Sequence, residues 1–206
     1  MFGKSKEVIE RLKEIQDIET NNIWADSEFD ALNDLKIDYS GKVGESVFFP
    51  FLKENTDWDI VFLGDSNTNS DDGTYDGIVN GKRVEVKTAR LGKSSSKTNK
   101  LGGNFQHENL KNTNECDFVV FMDYTPNYIL LTIEDFRVVN LDQTMKNFGI
   151  KAHKRKGTAN YKVDLKESTS IKKAMDNGIS IKIESDSDAE SKKVIDFLGK
   201  FLGKEE

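Results

Sequence analysis

The chain has one cysteine, Cys116, in 206 residues. It can form neither an internal disulfide nor a cysteine-based zinc site, and this usage points to an intracellular, cytoplasmic setting. Two histidines, His107 and His153, are too few and too far apart for a histidine-based zinc hydrolase. No run of 18 or more apolar residues occurs, and the start, MFGKSKEVIE, has no apolar signal core. A membrane partner is therefore not expected. Gly3-Lys4-Ser5 and Gly92-Lys93-Ser94 lack the upstream glycine of a phosphate loop. No internal repeat is present. The net charge of −6 works against non-specific binding to nucleic acid, so any phosphate contact must come from local basic segments.

What is present fits one polar, soluble domain over residues 1–206. Charged residues make up 32% and hydrophobic residues 36%, with thirteen phenylalanines to build a core. The most informative stretch is Thr74 to Arg90, TYDGIVNGKRVEVKTAR. Asn80-Gly81 lies between two runs rich in β-branched residues, the pattern of a hairpin with a type I′ turn. A two-residue loop pairs Val79 with Lys82, Ile78 with Arg83, Gly77 with Val84 and Asp76 with Glu85. Tyr75 then pairs with Val86 and Thr74 with Lys87. One face carries Tyr75, Val79, Val84 and Val86 and should pack on a core, with Lys82 beside the turn. The other carries Asp76, Glu85 and Lys87. Directly paired residues hold their Cβ atoms about 4.5–5.5 Å apart, and like charges placed so are destabilising. Two carboxylates at that spacing suit one divalent cation, and Lys87 can reach a group bound there. A merely solvated charged face is the other reading of the same residues.

Asp76 followed by Glu85-Val86-Lys87 on the second hairpin strand resembles the PD-(D/E)xK nuclease superfamily, which includes most type II restriction endonucleases. Tyr75 stands where the motif's proline would be. The resemblance implies an α/β fold with a restriction-endonuclease-like core, a mixed β-sheet flanked by helices, over about Asp38 to Ile133. It implies Mg²⁺ held by Asp76, Glu85 and the Val86 carbonyl, with Lys87 acting on the nucleophile and the scissile phosphate. The superfamily often draws a further glutamate from a helix before the hairpin. Gly41-Lys42-Val43-Gly44-Glu45 matches that string, making Glu45 a candidate catalytic and metal-binding residue. A polar residue on a helix after the Glu-x-Lys strand is also implied, with Gln106 as candidate.

Elsewhere, Val8, Ile9, Leu12, Ile15 and Ile18 form a helical stripe suited to packing or dimerisation. A second short helix is expected after Asp26-Ser27. The helical spacing from Val43 to Leu52 should kink or restart at Pro50. Trp58 to Gly64, Cys116 to Met122, Tyr128 to Ile133 and Tyr161 to Leu165 read as strands. Asp65, Asn67, Asn69, Asp71 and Asp76 echo a calcium loop, but Ser70 replaces its turn glycine and strands rather than helices flank it. Arg90, Lys93, Lys97 and Lys100 lie in a Ser/Lys/Asn-rich segment suited to clamping phosphates. His107 and a second cluster, His153, Lys154, Arg155 and Lys156, are further candidate DNA contacts, within a DNA-contacting and helical part spanning residues 134–206. Ser187 and Glu190 make a capping box for a last helix with the stripe Val194, Ile195, Leu198, Phe201 and Leu202. The expectation is a homodimeric, Mg²⁺-dependent type II restriction endonuclease acting on double-stranded DNA, with the terminal helices as possible interface. A phage or repair nuclease and an inactive DNA-binding module are the alternatives.

Overall fold

The computed structural model describes residues 27–29, 37–63, 75–92, 104–111, 116–184 and 187–204, and for 37–42 the backbone alone. Helix α1 (Ile37–Asn55) leads into strands β1 (Ile60–Phe62), β2 (Gly77–Val79) and β3 (Lys82–Arg90). Strands β4 (Phe105–Lys111), β5 (Phe118–Tyr124) and β6 (Ile129–Asp135) follow. Short strands β7 (Thr144–Met145), β8 (Ile150–Lys151) and β9 (His153–Lys154) precede β10 (Asn160–Leu165). A π-helical turn at Glu167–Ile171 runs into α2 (Lys172–Asp176), then β11 (Ser180–Ile183) and α3 (Asp188–Leu202). The chain is thus α/β with a mixed main sheet. Among the described residues, no helix is long and apolar enough to cross a membrane.

The main sheet has the order β1-β2-β3-β5-β6-β11, and β4-β10-β9 form a second sheet. In the main sheet β3 and β5 run parallel, and every other neighbouring pair is antiparallel. The hairpin forms in the expected register, Val79 with Lys82 through Gly77 with Val84. Its turn has φ of 48° at Asn80 and 79° at Gly81, both on the left-handed side that a type I′ turn requires. The turn is also anchored to α3. Asn80 Nδ2 donates to the Leu202 carbonyl at 2.8 Å. Lys82 Nζ donates to the Phe201 and Gly203 carbonyls at 3.0 and 2.9 Å, placing a cation at the negative end of the helix dipole.

Each face of the main sheet buries its own core. On one face, Phe48, Phe49 and Leu52 of α1 and Phe197, Leu198 and Leu202 of α3 cover Val79, Val84, Val86, Val120 and Met122. On the other, Phe105 and Leu110 of β4 with Tyr161, Val163 and Leu165 of β10 cover Ala89, Val119, Phe121 and Leu130. Sandwiched between them, β5 is buried along its whole length, as the apolar run from Cys116 predicts.

Several expectations change. Helix α1 does not restart at Pro50 but continues to Asn55, with the ring on its exposed side while Phe48, Phe49 and Leu52 anchor the inner face. The segment around Gln106 is strand β4 rather than a helix, since alternating Phe105 and His107 bury against the sheet while Gln106 points out. Tyr75 packs with the second core, not with Val79, Val84 and Val86, because the backbone leaves the ladder at Asp76. The main sheet is not confined to Asp38–Ile133, for β11 joins it beside β6. Of the stripe on α3, Val194, Leu198, Phe201 and Leu202 pack in the chain's own core, while Ile195 is half-buried outside it. Ser187 does cap α3, accepting from the Glu190 amide at 3.3 Å. The stripe from Val8 to Ile18 and the calcium-loop echo, save Asp76, lie outside the described residues, as does Asp26.

Candidate active site at the end of the hairpin

The β2–β3 ladder ends one residue before the expected pairing of Asp76 with Glu85. Asp76 N–H donates to the Val84 carbonyl at 2.9 Å, and the Asp76 carbonyl accepts from Leu63 N–H at 2.9 Å. Asp76 Oδ2 then accepts from Val86 N–H at 2.7 Å. A side-chain carboxylate here replaces the backbone carbonyl that a continued strand would supply. On β3 the odd residues turn their backbone groups to β5, since the Arg83 carbonyl accepts from Asp117 N–H and Leu91 N–H donates to the Tyr124 carbonyl. Even residues face the hairpin side, and within one extended residue N–H and C=O point the same way. The Val86 carbonyl is therefore directed to the side where Asp76 sits.

Glu85 and Lys87 project from the other face of β3, aligned with Val119 and Phe121 of β5. Glu85 is 9% exposed. Its Oε1 is ion-paired with Lys87 Nζ, while its Oε2 is buried without a hydrogen-bond partner among the described residues. Burial pushes the Glu85 carboxyl up to about 7 from an ordinary 4.5; Lys87 pulls it down, and the charges of Asp76 and Glu45 raise it further. The Asp76 carboxyl is also raised by burial, against the lowering effects of Val86 N–H, Lys87 and a hydrogen bond with Glu85. Asp76 and Glu85 thus lie near enough for each to act on the other's carboxyl, although the ladder stops before the expected pairing. One buried acid, one half-buried acid and one lysine leave negative charge that a proton or a cation would relieve.

Glu45 is delivered by a close approach of α1 to β3. A Cβ on Gly44 would fall on Thr88 Oγ1 and lie 3.1 Å from Thr88 Cβ, so only glycine lets the helix sit this low. Glu45 then stands near enough for its charge to raise Glu85. It does not complete a cluster: among the described residues, no group of three or more His, Cys, Asp or Glu could hold a metal ion. The residues that could hold an ion here are Asp76, Glu85 and the Val86 carbonyl, with the Glu45 charge acting on Glu85. Magnesium needs no more protein than that, because it binds through one or two carboxylates and keeps several waters. The partnerless Glu85 Oε2 and the raised carboxyls fit such an ion.

Other candidates fall elsewhere. Gln106 donates to Asp164 Oδ1 at 3.1 Å on the outer face of the second sheet, away from Glu85. His107 is 2% exposed, so it is not a DNA contact; its Nε2 lies 2.8 Å from Asp123 Oδ1 between the two sheets. Arg90 ends β3 opposite Tyr124 and is half-buried. His153, Lys154 and Lys156 are exposed on the β9–β10 hairpin, but Arg155 pairs with Glu108 at 2.9 Å. Lys93, Lys97 and Lys100 lie outside the described residues. Sequence reasoning missed Asp123, which is fully buried, and Glu134, 3% exposed and held by Asn147 Nδ2 at 3.0 and 3.1 Å. Each ends or follows an apolar strand run, where an acid signals a buried partner. No protein-family model matches the chain, and no curated protein is similar to it.

Proposed function

We propose that the chain is a Mg²⁺-dependent endodeoxyribonuclease of the PD-(D/E)xK kind, built on a restriction-endonuclease-like core and acting as a site-specific restriction enzyme on duplex DNA. One observation carries the reading: Asp76, its Oδ2 held by Val86 N–H, and Glu85, ion-paired with Lys87, lie near one another where the hairpin ladder stops. The helix-borne Glu45 and the parallel β3–β5 pair support it. The described part of the β3–β5 crossover is strand β4, a departure from the helix that the superfamily leads one to expect.

Asp76, Glu85 and the Val86 carbonyl would hold the ion. When bound, Mg²⁺ neutralises charge on a phosphodiester and acidifies water. Val86 N–H fixes Asp76 Oδ2, so that carboxylate is oriented before substrate arrives. Lys87 Nζ, turned from Glu85, can donate to a non-bridging phosphate oxygen and stabilise the charge that grows there. Glu45 adds negative charge that favours binding of a cation over an empty site. The exposed β9–β10 hairpin, with His153, Lys154 and Lys156, offers a phosphate contact away from the reacting centre.

Incubation with supercoiled plasmid tests the reading. Discrete linear fragments formed only with Mg²⁺ support a restriction enzyme. Cleavage confined to branched junctions keeps the chemistry but assigns a structure-specific nuclease. Binding without cutting rejects the activity.

A further inference from the structure

The second sheet concentrates positive charge in a chain that is acidic as a whole. Residues 150–166 hold six lysines and arginines against one acid, Asp164, while the net charge of the chain is −6. A local excess of this kind attracts a polyanion. Strand β10 turns Tyr161, Val163 and Leu165 into the core, so Lys162 and Asp164 stand on its outer face. Strand β4 buries Phe105 and His107 in the same way and turns Gln106 out, directly opposite Asp164. Glu108, the other acid on this face, is paired with Arg155 at 2.9 Å.

Asp164 organises this face. Its Oδ1 accepts from Gln106 Nε2 at 3.1 Å, and its Oδ2 lies 3.7 Å from Lys162 Nζ. An ionised carboxylate only accepts, so this bond fixes which end of the Gln106 amide is nitrogen. Gln106 keeps Oε1 and its second N–H, an acceptor beside a donor. That pair matches N6 and N7 of adenine in the major groove, and a lysine ammonium matches O6 and N7 of guanine. In the minor groove an A·T pair presents acceptors alone, so the same amide would read little there. Lys154 on β9, Lys156 after it and Lys166 after β10 are exposed and can hold phosphates, which positions a duplex without reading it. Sheets and ribbons are known to enter a DNA groove by one face. We propose that the outer face of β4 and β10 reads duplex DNA in the major groove, with Gln106 and Lys162 on base edges and Asp164 as their positioning residue. The choice of DNA as partner rests on the nuclease reading. Strand β4, which carries Gln106, is the strand of the second sheet that lies against β3, so the reading and reacting strands are neighbours.

Selection by the full chain from a pool of random duplexes, with EDTA present so that bound DNA stays intact, tests it. The parent should enrich a sequence with a fixed adenine. Gln106→Leu should lose about tenfold in preference at that position while the other positions keep theirs, and Asp164→Ala should relax two positions at once. Lys156→Ala should weaken binding to every sequence alike and lower the salt slope by about 1. Gln106 is exposed, so its replacement should leave the circular dichroism native. Enrichment of no sequence by the parent overturns the proposal. A preference in Gln106→Leu equal to the parent's, or a loss spread evenly over all sequences, overturns it as well. Plasmid cleavage is read separately. Discrete cutting by the parent with the same sites cut by Gln106→Leu rejects the reading face alone, whereas sequence enrichment without any Mg²⁺-dependent cutting supports the reading face and rejects the nuclease.

Discussion

Gly44→Ala probes the packing that brings α1 to the candidate site. Two opposed effects set its magnitude. Alanine is favoured over glycine in a helix interior by about 1 kcal/mol. Against this, the new methyl falls on Thr88 Oγ1, lies 3.1 Å from Thr88 Cβ and 3.4 Å from Val86 Cγ1. The hydroxyl can swing away about χ1, but Thr88 Cβ cannot, so α1 must lift by a few tenths of an ångström. Overpacking of this kind costs about 1–3 kcal/mol. A net loss of about 1 kcal/mol follows, read as a lower urea midpoint at unchanged slope. Gly44→Ala with Thr88→Ala should recover only a small part of it, because the second change removes Oγ1, buried without a hydrogen-bond partner among the described residues, but keeps the Cβ; Thr88→Gly in its place should relieve the contact itself. If Gly44→Ala alone is more stable than the parent, the helix does not rest on β3 as described.

Other perturbations separate chemistry from stability. Asp76→Ala and Lys87→Ala should each lower plasmid cleavage by at least about 10²–10³, the scale for removing one charge-stabilising group, while circular dichroism stays native. Glu134 offers a pH test, since burial and the Asp135 charge raise its carboxyl to about 7 from 4.5 despite the Asn147 hydrogen bond. A raised folded value means that the unfolded chain releases this proton first. Stability from this group is therefore full below pH 4.5 and is lost as pH rises to about 7, by about 3 kcal/mol at most. Glu134→Gln should flatten the stability curve across that window, and an unchanged slope in denaturation from pH 4.5 to 7 would contradict it. Asp123→Ala should destabilise by about 3–5 kcal/mol in the same assay by stranding buried His107, whereas His107→Phe with Asp123→Leu should cost much less.

The hairpin was legible because its cause is local: Asn80-Gly81 dictates the turn, and the turn dictates the register. The last helix was legible for the same reason, through Ser187 and the apolar stripe. What escaped depends on contacts distant in sequence. Nothing near Asp76 announces that its carboxylate will replace a backbone acceptor, which shifts Tyr75 to the other core. The exposed reading of His107 failed because burial is set by β10, far along the chain, which pairs with β4 and closes over the sheet. Gln106 looked available for catalysis only while its segment was taken for a helix; on a strand, its neighbours' burial turns it outward. Glu45 was singled out because Gly41-Lys42-Val43-Gly44-Glu45 matches a string of the superfamily that the chain resembles, and the close approach of Gly44 to Thr88 gives a physical reason for the glycine in it.

On the proposed reading, Asp76 and Glu85 hold one cation together. Mn²⁺ binding followed by electron paramagnetic resonance measures it directly, free of any assumption about substrate. The parent protein should bind one ion, with affinity lost in both Asp76→Asn and Glu85→Gln and largely kept in Gln106→Ala. Equal binding by the parent and the two carboxylate variants would contradict it.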